Sequence, residues 1–227
     1  MRILMLGNSL TSANDLPGAV ARLTGAHVAA HTRGGARLAE QLNPDTRMGA
    51  ATLSALRDER WDCVVLQESS NGPVVHRESF LRSAEGLCTL ARQAEATPVL
   101  YATWAYRPGC AKLARMEMDF EEMAQALDEA YREAAMRGGA LLADVGGVFR
   151  ARGGDAVLYA ADGLHPSELG TRLAAEIIAR LVLALPVALH DAPSASASPA
   201  VPPATAPATP PSAERRVSSR RIPDKDL

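Results

Sequence analysis

The sequence has few of the features that mark secreted, zinc-binding or nucleic-acid-binding proteins. Its 227 residues include only three cysteines, Cys63, Cys88 and Cys110. Because this number is odd, the spacing is wide and no Cys-x-x-Cys pair occurs, we expect neither a disulfide framework nor a structural zinc site. The formal net charge of −2 argues against a large basic surface, so we expect no nucleic-acid partner.

Long hydrophobic runs are missing as well. The first apolar run, residues 3–6, is too short for the core of a secretory leader. The longest candidate for a membrane span, residues 181–189, falls well short of the roughly 18 apolar residues that a span needs. We therefore expect a cytoplasmic enzyme or binding module with no membrane partner.

The composition changes sharply near residue 190. From residue 191 to residue 227 there is no glycine and no aromatic residue, and eight of the 15 prolines lie there among Ala, Ser and Thr. Such a segment buries too little apolar surface to offset the entropy cost of ordering it. We predict a folded domain over residues 1–190 and a disordered tail with a basic end over residues 191–227.

Within residues 1–190, short apolar runs alternate with longer segments of helical periodicity. Strands are predicted at residues 2–6, 27–31, 61–66, 98–104 and 140–143. Helices are predicted at residues 15–23, 47–57, 76–94, 116–137 and 168–185. This alternation predicts the α/β class, with a flavodoxin-like five-stranded parallel sheet in a three-layer α/β/α sandwich.

Ligands of such sheets bind beyond the carboxyl ends of the strands. Polar or glycine-rich segments follow the first three predicted strands, and a fourth precedes the last helix: residues 7–11, 33–36, 67–73 and 162–167. We expect these four segments to face one crevice, although they lie far apart in the sequence.

Three side chains of these segments can support nucleophilic catalysis. The hydroxyl of Ser9 needs a base to take its proton, and His165 suits that role because the ordinary imidazole pKa is about 6.5. Asp162 precedes the histidine by three residues, so its carboxylate can reach Nδ1 within one turn and leave Nε2 for the serine. We predict a nucleophile at Ser9, a general base at His165 and an orienting carboxylate at Asp162.

Amide groups in the same loops predict an oxyanion hole. Ser9 lies at a strand-to-helix turn, where backbone N–H groups are free. Gly35 has no Cβ, so a substrate oxygen can approach its backbone N–H. Asn71 is the first choice for a side-chain donor, and Gln67, nearer the strand, is its rival.

In their order along the chain, these blocks resemble the SGNH, or GDSL-type, hydrolase superfamily of esterases and lipases. The resemblance covers residue 1 to about residue 185. The opening segment and residues 66–70 look like a bacterial branch of esterase-like members. The matching motifs are Gly7-Asn8-Ser9, Gly35, Asn71 and Asp162-x-x-His165.

The sequence departs from the pattern of the superfamily at two places. Asn8 stands where an aspartate usually precedes the nucleophile, and we expect this to be tolerated because that side chain is not the nucleophile. The usual Gly-x-Asn-Asp block is replaced by Gln67-Glu68-Ser69-Ser70-Asn71. The choice between Asn71 and Gln67 as oxyanion donor therefore stays open.

The resemblance implies a serine esterase that cleaves an acyl or acetyl ester through an acyl-enzyme intermediate. It implies a small-molecule ester substrate, with an acetylated carbohydrate as one option, and neither a metal nor an organic cofactor. Two alternatives remain at this stage. One is a non-catalytic flavodoxin-like module that binds a phosphate at residues 7–11, and the other is a degenerate hydrolase fold used for protein interaction.

Overall fold

A computed structural model describes residues 1–185, and the predicted tail over residues 191–227 lies outside the described residues. Within residues 1–185, five parallel strands form one sheet in the order β2-β1-β3-β4-β5. The strands are β1 (Arg2–Gly7), β2 (His27–Thr32), β3 (Cys63–Leu66), β4 (Thr97–Ala102) and β5 (Leu141–Asp144). The predicted flavodoxin-like parallel sheet is confirmed.

Helices connect the strands and cover both faces of the sheet. In chain order they are α1 (Ser9–Ser12), α2 (Leu16–Thr24), α3 (Leu38–Leu42), α4 (Arg47–Asp58), α5 (Gly72–Val75), α6 (Arg77–Gln93), α7 (Ala111–Arg115), α8 (Phe120–Gly138), α9 (Val145–Ala151) and α10 (Glu168–Leu183). Single 3₁₀ turns lie at Ala13–Asp15 and Ala156–Leu158.

The central strands β1, β3 and β4 are mainly apolar because both of their faces are buried. The edge strands β2 and β5 are only partly buried. In β1, Leu4 and Leu6 pack into one core, together with residues of α3, α4, α6 and α8. Ile3 and Met5 point to the opposite face and pack into a second core, together with residues of α2, α9 and α10. The chain is therefore a three-layer α/β/α sandwich, as predicted.

The helix α8 begins later than its apolar spacing predicts. The predicted helix starts at residue 116, but Glu117 has a φ of 53°, which interrupts the helical backbone. The helix instead begins after Asp119, whose side chain accepts from the N–H of Glu122 while the Glu122 carboxylate accepts from the N–H of Asp119. This capping box satisfies two of the N–H groups that a helix start leaves free.

The register of the sheet brings three loops together. Gly7 at the end of β1 pairs with Thr32 at the end of β2, and Leu6 pairs with Leu66 at the end of β3. Because β1 lies between β2 and β3, the segments that follow these three strands leave the same edge side by side.

Candidate active site

A chain of hydrogen bonds joins three side chains at the carboxyl edge of the sheet. Ser9 is the first residue of α1, and its Oγ lies 2.9 Å from Nε2 of His165. Nδ1 of the same histidine lies 2.6 Å from Oδ2 of Asp162. The structure thus brings together the three side chains that the sequence analysis assigned to catalysis, although 156 residues separate Ser9 from His165.

The turn that carries the histidine is held by its own residues and by hydrogen bonds from neighbouring segments. Oδ1 of Asp162 accepts hydrogen bonds from the backbone N–H groups of Leu164 and His165, both at 3.0 Å. The N–H of Ala160 donates to the carbonyl of His165 at 2.8 Å. From outside the turn, the indole Nε1 of Trp104 donates to the carbonyl of Leu164 at 3.1 Å.

These bonds set the charge of the aspartate. Burial raises the pKa of Asp162, but hydrogen bonds from the His165 ring and from the N–H groups of Leu164 and His165 outweigh it. The net result lowers the pKa to about 2. The carboxylate is therefore ionised at neutral pH, where it can orient the imidazole and stabilise a positive charge on it.

Asn8 fixes the turn that presents Ser9. Its Oδ1 accepts from the N–H of Leu10 at 3.0 Å and so caps α1. Its Nδ2 donates to the carbonyl of Ala36 at 3.0 Å, which connects this turn to the Gly35 segment. An aspartate could supply the cap but not the second bond, because a carboxylate has no N–H to donate.

Gln67 packs beneath the same turn. Its Oε1 accepts from the N–H of Asn8 and from the hydroxyl of Thr11, each at 2.9 Å, while its Nε2 donates to the carbonyl of Glu68. A Cβ on Gly7 would lie 2.6 Å from this Oε1 and 2.3 Å from the Thr11 hydroxyl, so only glycine fits there. Both polar atoms of Gln67 are thus engaged, and its Oε1 holds the turn that presents Ser9.

Three of the predicted oxyanion donors have no bond of their own. Within residues 1–185, neither the backbone N–H of Ser9 nor that of Gly35 has an acceptor, and the side chain of Asn71 makes no hydrogen bond. Gly35 lies in an exposed turn with a φ of 69°, a conformation that favours glycine. Asn71 is half-buried and directly precedes α5.

Asn14 joins the Ser9 segment to the His165 segment, and the sequence analysis missed it. Its Nδ2 donates to the carbonyl of Pro166 at 3.1 Å and to the hydroxyl of Thr171 at 2.9 Å. Both Asn14 and Asp15 have a positive φ, of 49° and 54°. The Asn-Asp pair is the available sequence signal, because these two residue types visit the left-handed region most readily after glycine.

Two other kinds of feature are absent from the part of the chain that the structure describes. Residues 1–185 contain no cluster of three or more His, Cys, Asp or Glu side chains that could hold a metal ion. Among the helices of the same residues, none combines the length and the apolar character that crossing a bilayer requires.

The chain is similar to known hydrolases in sequence and in structure. The model of the GDSL-like Lipase/Acylhydrolase family matches residues 5–173. A candidate SGNH hydrolase from Slackia heliotrinireducens is 54% identical and superimposes with a TM-score of 0.77. That comparison covers 79% of this chain and 97% of the Slackia chain.

More distant structures share the fold, and the family match identifies the chain. A lipase/acylhydrolase from Enterococcus faecalis is 19% identical with a TM-score of 0.56, over 81% of this chain and 96% of that one. Axe2, an acetyl-xylooligosaccharide esterase from a Geobacillus, is 12% identical with a TM-score of 0.57, over 80% and 93%. Among curated proteins, none matches this chain significantly. Since the family model spans most of the described residues, the chain belongs to the GDSL-like lipase/acylhydrolase family of hydrolases.

Proposed function

We propose that this protein is a serine esterase that cleaves a small acyl or acetyl ester through an acyl-enzyme intermediate. The observation that carries the proposal is the unbroken hydrogen-bond relay from Ser9 through His165 to Asp162, at 2.9 and 2.6 Å. Nucleophile, base and orienting carboxylate in this arrangement are what acyl transfer to a serine requires.

Acylation uses all three side chains. Oγ of Ser9 attacks the carbonyl carbon of the ester, and its proton passes to Nε2 of His165. The electron pair of the C=O bond moves to the carbonyl oxygen, which becomes an oxyanion. When the tetrahedral intermediate collapses, the bond to the alcohol breaks and His165 returns the proton to the departing alkoxide. The carboxylate of Asp162 stabilises the imidazolium between these two steps.

Deacylation repeats the sequence with water. A water molecule attacks the acyl carbon and gives one proton to His165. The second tetrahedral intermediate expels Oγ of Ser9, which takes that proton back, and the carboxylic acid is released. Every proton and electron pair is accounted for without a metal ion or an organic cofactor.

The oxyanion is proposed to bind the N–H groups of Ser9 and Gly35 and the side-chain amide of Asn71. All three donors lack an acceptor within residues 1–185. Gln67 is the weaker alternative, because its Oε1 already accepts two bonds and its Nε2 already donates one. Donors fixed before the reaction stabilise the charge that develops in the transition state.

The substrate is proposed to be a small ester, with an acetylated carbohydrate as the first class to test. The Geobacillus structure that shares this fold is described as an esterase of acetyl-xylooligosaccharides. A panel of acyl lengths on p-nitrophenol, followed by acetylated sugars, checks this choice. Faster turnover of long-chain esters than of acetyl esters would contradict it.

We also propose that the enzyme works in the cytoplasm. Cys63, Cys88 and Cys110 are buried free thiols, which suits a reducing compartment. Fractionation of the source cells with an antibody against this chain tests the proposal, and recovery of the protein outside the cytoplasmic fraction would contradict it.

The deciding experiment compares p-nitrophenyl acetate hydrolysis by the wild type, Ser9→Ala and Ser12→Ala. Ser12 is an exposed serine of the same short helix, so it controls for any serine-to-alanine change there. We expect saturable wild-type turnover, a kcat lower by several orders of magnitude in Ser9→Ala, and an unchanged rate in Ser12→Ala. A fluorophosphonate probe should label the wild type and Ser12→Ala, but not Ser9→Ala.

Equal rates in the wild type and in folded Ser9→Ala would contradict the proposal. Circular dichroism of all three proteins provides the folding control. Labelling of Ser9→Ala by the fluorophosphonate would point to a different nucleophile.

A further inference from the structure

Glu68 is a charged side chain buried beside the proposed catalytic residues, with no part in the relay. It is the second residue after β3, and none of its surface is exposed. Removing a carboxylate from water is unfavourable unless hydrogen bonds and an opposite charge compensate it. The contacts of this side chain therefore indicate what it stabilises.

One group of its contacts lies on the segment that follows β2. Oε2 of Glu68 accepts a hydrogen bond from the backbone N–H of Leu38 at 3.1 Å. Oε1 lies 3.7 Å from Nε of Arg37. Both partners follow Gly35 within three residues, so the carboxylate holds the base of the turn that carries this glycine.

The other group of contacts lies on its own segment, toward Asn71. Oε1 accepts a hydrogen bond from the backbone N–H of Ser69 at 2.7 Å. A Cβ added to Gly72 would lie 2.8 Å from the same oxygen, so the absence of a side chain lets the chain pass close to the carboxylate. Asn71 directly precedes this glycine.

Arg37 supplies the opposite charge. Its Nε and Nη2 are buried, and within residues 1–185 neither has a hydrogen-bond partner. The guanidinium therefore acts on Glu68 through its charge rather than through a well-formed hydrogen bond. Without the carboxylate, these buried N–H groups would have no compensating charge beside them.

We propose that Glu68 is a positioning residue for the oxyanion hole. Its carboxylate joins the base of the Gly35 turn to the segment that carries Asn71, and so fixes the distance between the two donors. This inference rests on the proposed esterase function and assigns a role in it to a residue outside the relay. It also explains why a glutamate stands in the block that departs from the usual Gly-x-Asn-Asp.

A glutamine cannot replace this carboxylate fully. The amide has one acceptor oxygen, so it can satisfy the N–H of Leu38 or that of Ser69 but presents its own N–H₂ to the other. It also carries no charge for Arg37. Glu68→Gln therefore loosens the link between the two segments while its volume stays nearly unchanged.

The test measures steady-state hydrolysis of p-nitrophenyl acetate by Glu68→Gln, with Glu59→Gln as the matched control. Glu59 pairs with Arg2 at the amino-terminal end of the strands, opposite the candidate site. Glu59→Gln should therefore keep the wild-type kcat. For Glu68→Gln we expect kcat to fall about 10- to 100-fold with KM changed less than about threefold, because oxyanion contacts act in the transition state.

A second readout separates positioning from stability. A small alkyl boronic acid forms a tetrahedral adduct on the serine and places an oxygen in the oxyanion hole. Its inhibition constant should rise in Glu68→Gln by about the same factor by which kcat/KM falls. A change that only lowers stability would leave the inhibition constant of the folded protein unchanged.

The double variant Arg37→Met/Glu68→Gln covers the case in which Glu68→Gln does not fold. It removes the uncompensated guanidinium together with the carboxylate, so we expect a higher Tm than in Glu68→Gln but an equally low kcat. A wild-type kcat or an unchanged boronic acid inhibition constant in either folded variant would overturn the inference. Failure of both variants to fold would also overturn it, in favour of a purely structural role.

Comparison of the wild type with Ser9→Ala distinguishes a failure of this inference from a failure of the proposed function. Turnover that does not depend on Ser9 would overturn both. Turnover that depends on Ser9, combined with wild-type kinetics in folded Glu68→Gln, would overturn the role of Glu68 alone.

Discussion

The two halves of the candidate site are built in different ways. The His165 half is a short turn whose aspartate bonds to the ring and to two backbone N–H groups within three residues. The nucleophile half depends on side chains that reach between loops, such as Asn8 to Ala36 and Gln67 to Asn8. Side-chain exposure differs in the same sense: 45% for Asp162 but none for Glu68.

This difference separates chemical roles from structural ones. The His165 turn carries the proposed base, which changes its protonation, and solvent reaches the side chains of both His165 and Asp162. The nucleophile half carries the proposed N–H donors, whose value depends on their position, and buried hydrogen bonds of Asn8, Gln67 and Glu68 hold their loops in place. Substitutions in the two halves should therefore change activity and stability in different proportions.

The largest effect is expected from His165→Ala. We expect kcat to fall by on the order of 10⁵ to 10⁶, with only a small loss in the free energy of unfolding, because the base is lost while its bond to Asp162 is exposed to solvent. His76→Ala is the matched control, since His76 is an exposed histidine at the start of α6. The Ser9→Ala/His165→Ala double variant should be about as slow as either single variant, and additive losses would show that the two residues do not act together.

A pair of variants in the nucleophile half should separate activity from stability. Asn71→Ala should lower kcat by about 10²- to 10³-fold and change the free energy of unfolding by less than about 0.5 kcal/mol, because its amide makes no hydrogen bond within residues 1–185. Gln67→Met leaves the buried Asn8 N–H and the Thr11 hydroxyl without their acceptor, and should cost about 2–4 kcal/mol. Urea unfolding and steady-state kinetics of both variants measure this contrast.

Equal losses of stability in Asn71→Ala and Gln67→Met would remove the distinction between donor and support. A normal kcat in Asn71→Ala, together with a low kcat in a folded variant that removes only the Gln67 N–H donor, would make Gln67 the oxyanion donor.

The smallest effect is expected on the free energy of unfolding, when Asp162 loses its charge at low pH. Its folded-state pKa of about 2 lies below the ordinary aspartate value of about 3.9, so its ionised form stabilises the fold. This contribution is complete above about pH 5 and disappears as the pH falls through 3.9 toward 2. The difference in stability between the wild type and Asp162→Asn should therefore shrink over that range, which urea titrations at several pH values can measure. A constant difference would contradict the lowered pKa.

The sequence predicts those parts of the molecule whose pattern is local. The central strands are mainly apolar runs, and the long helices show one buried stripe, so both are readable from the spacing of apolar residues. The short helices α3, α5, α7 and α9 span too few turns to show such a stripe. The start of α8 was misplaced because a capping box and the positive φ of Glu117 decide it.

The same distinction applies to the candidate site. Asp162 and His165 lie three residues apart, so their contact can be predicted from one turn. The contacts of Gln67 and Glu68 depend on which strand lies beside which, and no single segment of the sequence determines this order. For that reason the sequence offered Gln67 as a donor to the substrate, whereas the structure has it accept from Asn8 and Thr11.

The bond from Asn8 to Ala36 has a consequence for motion. It makes the turn before Ser9 and the turn of Gly35 one rigid body, because any hinge between them would break a buried hydrogen bond. Opening and closing around a substrate should therefore not separate these two turns. NMR relaxation of backbone amide groups should find no slow exchange at Ser9 and Gly35.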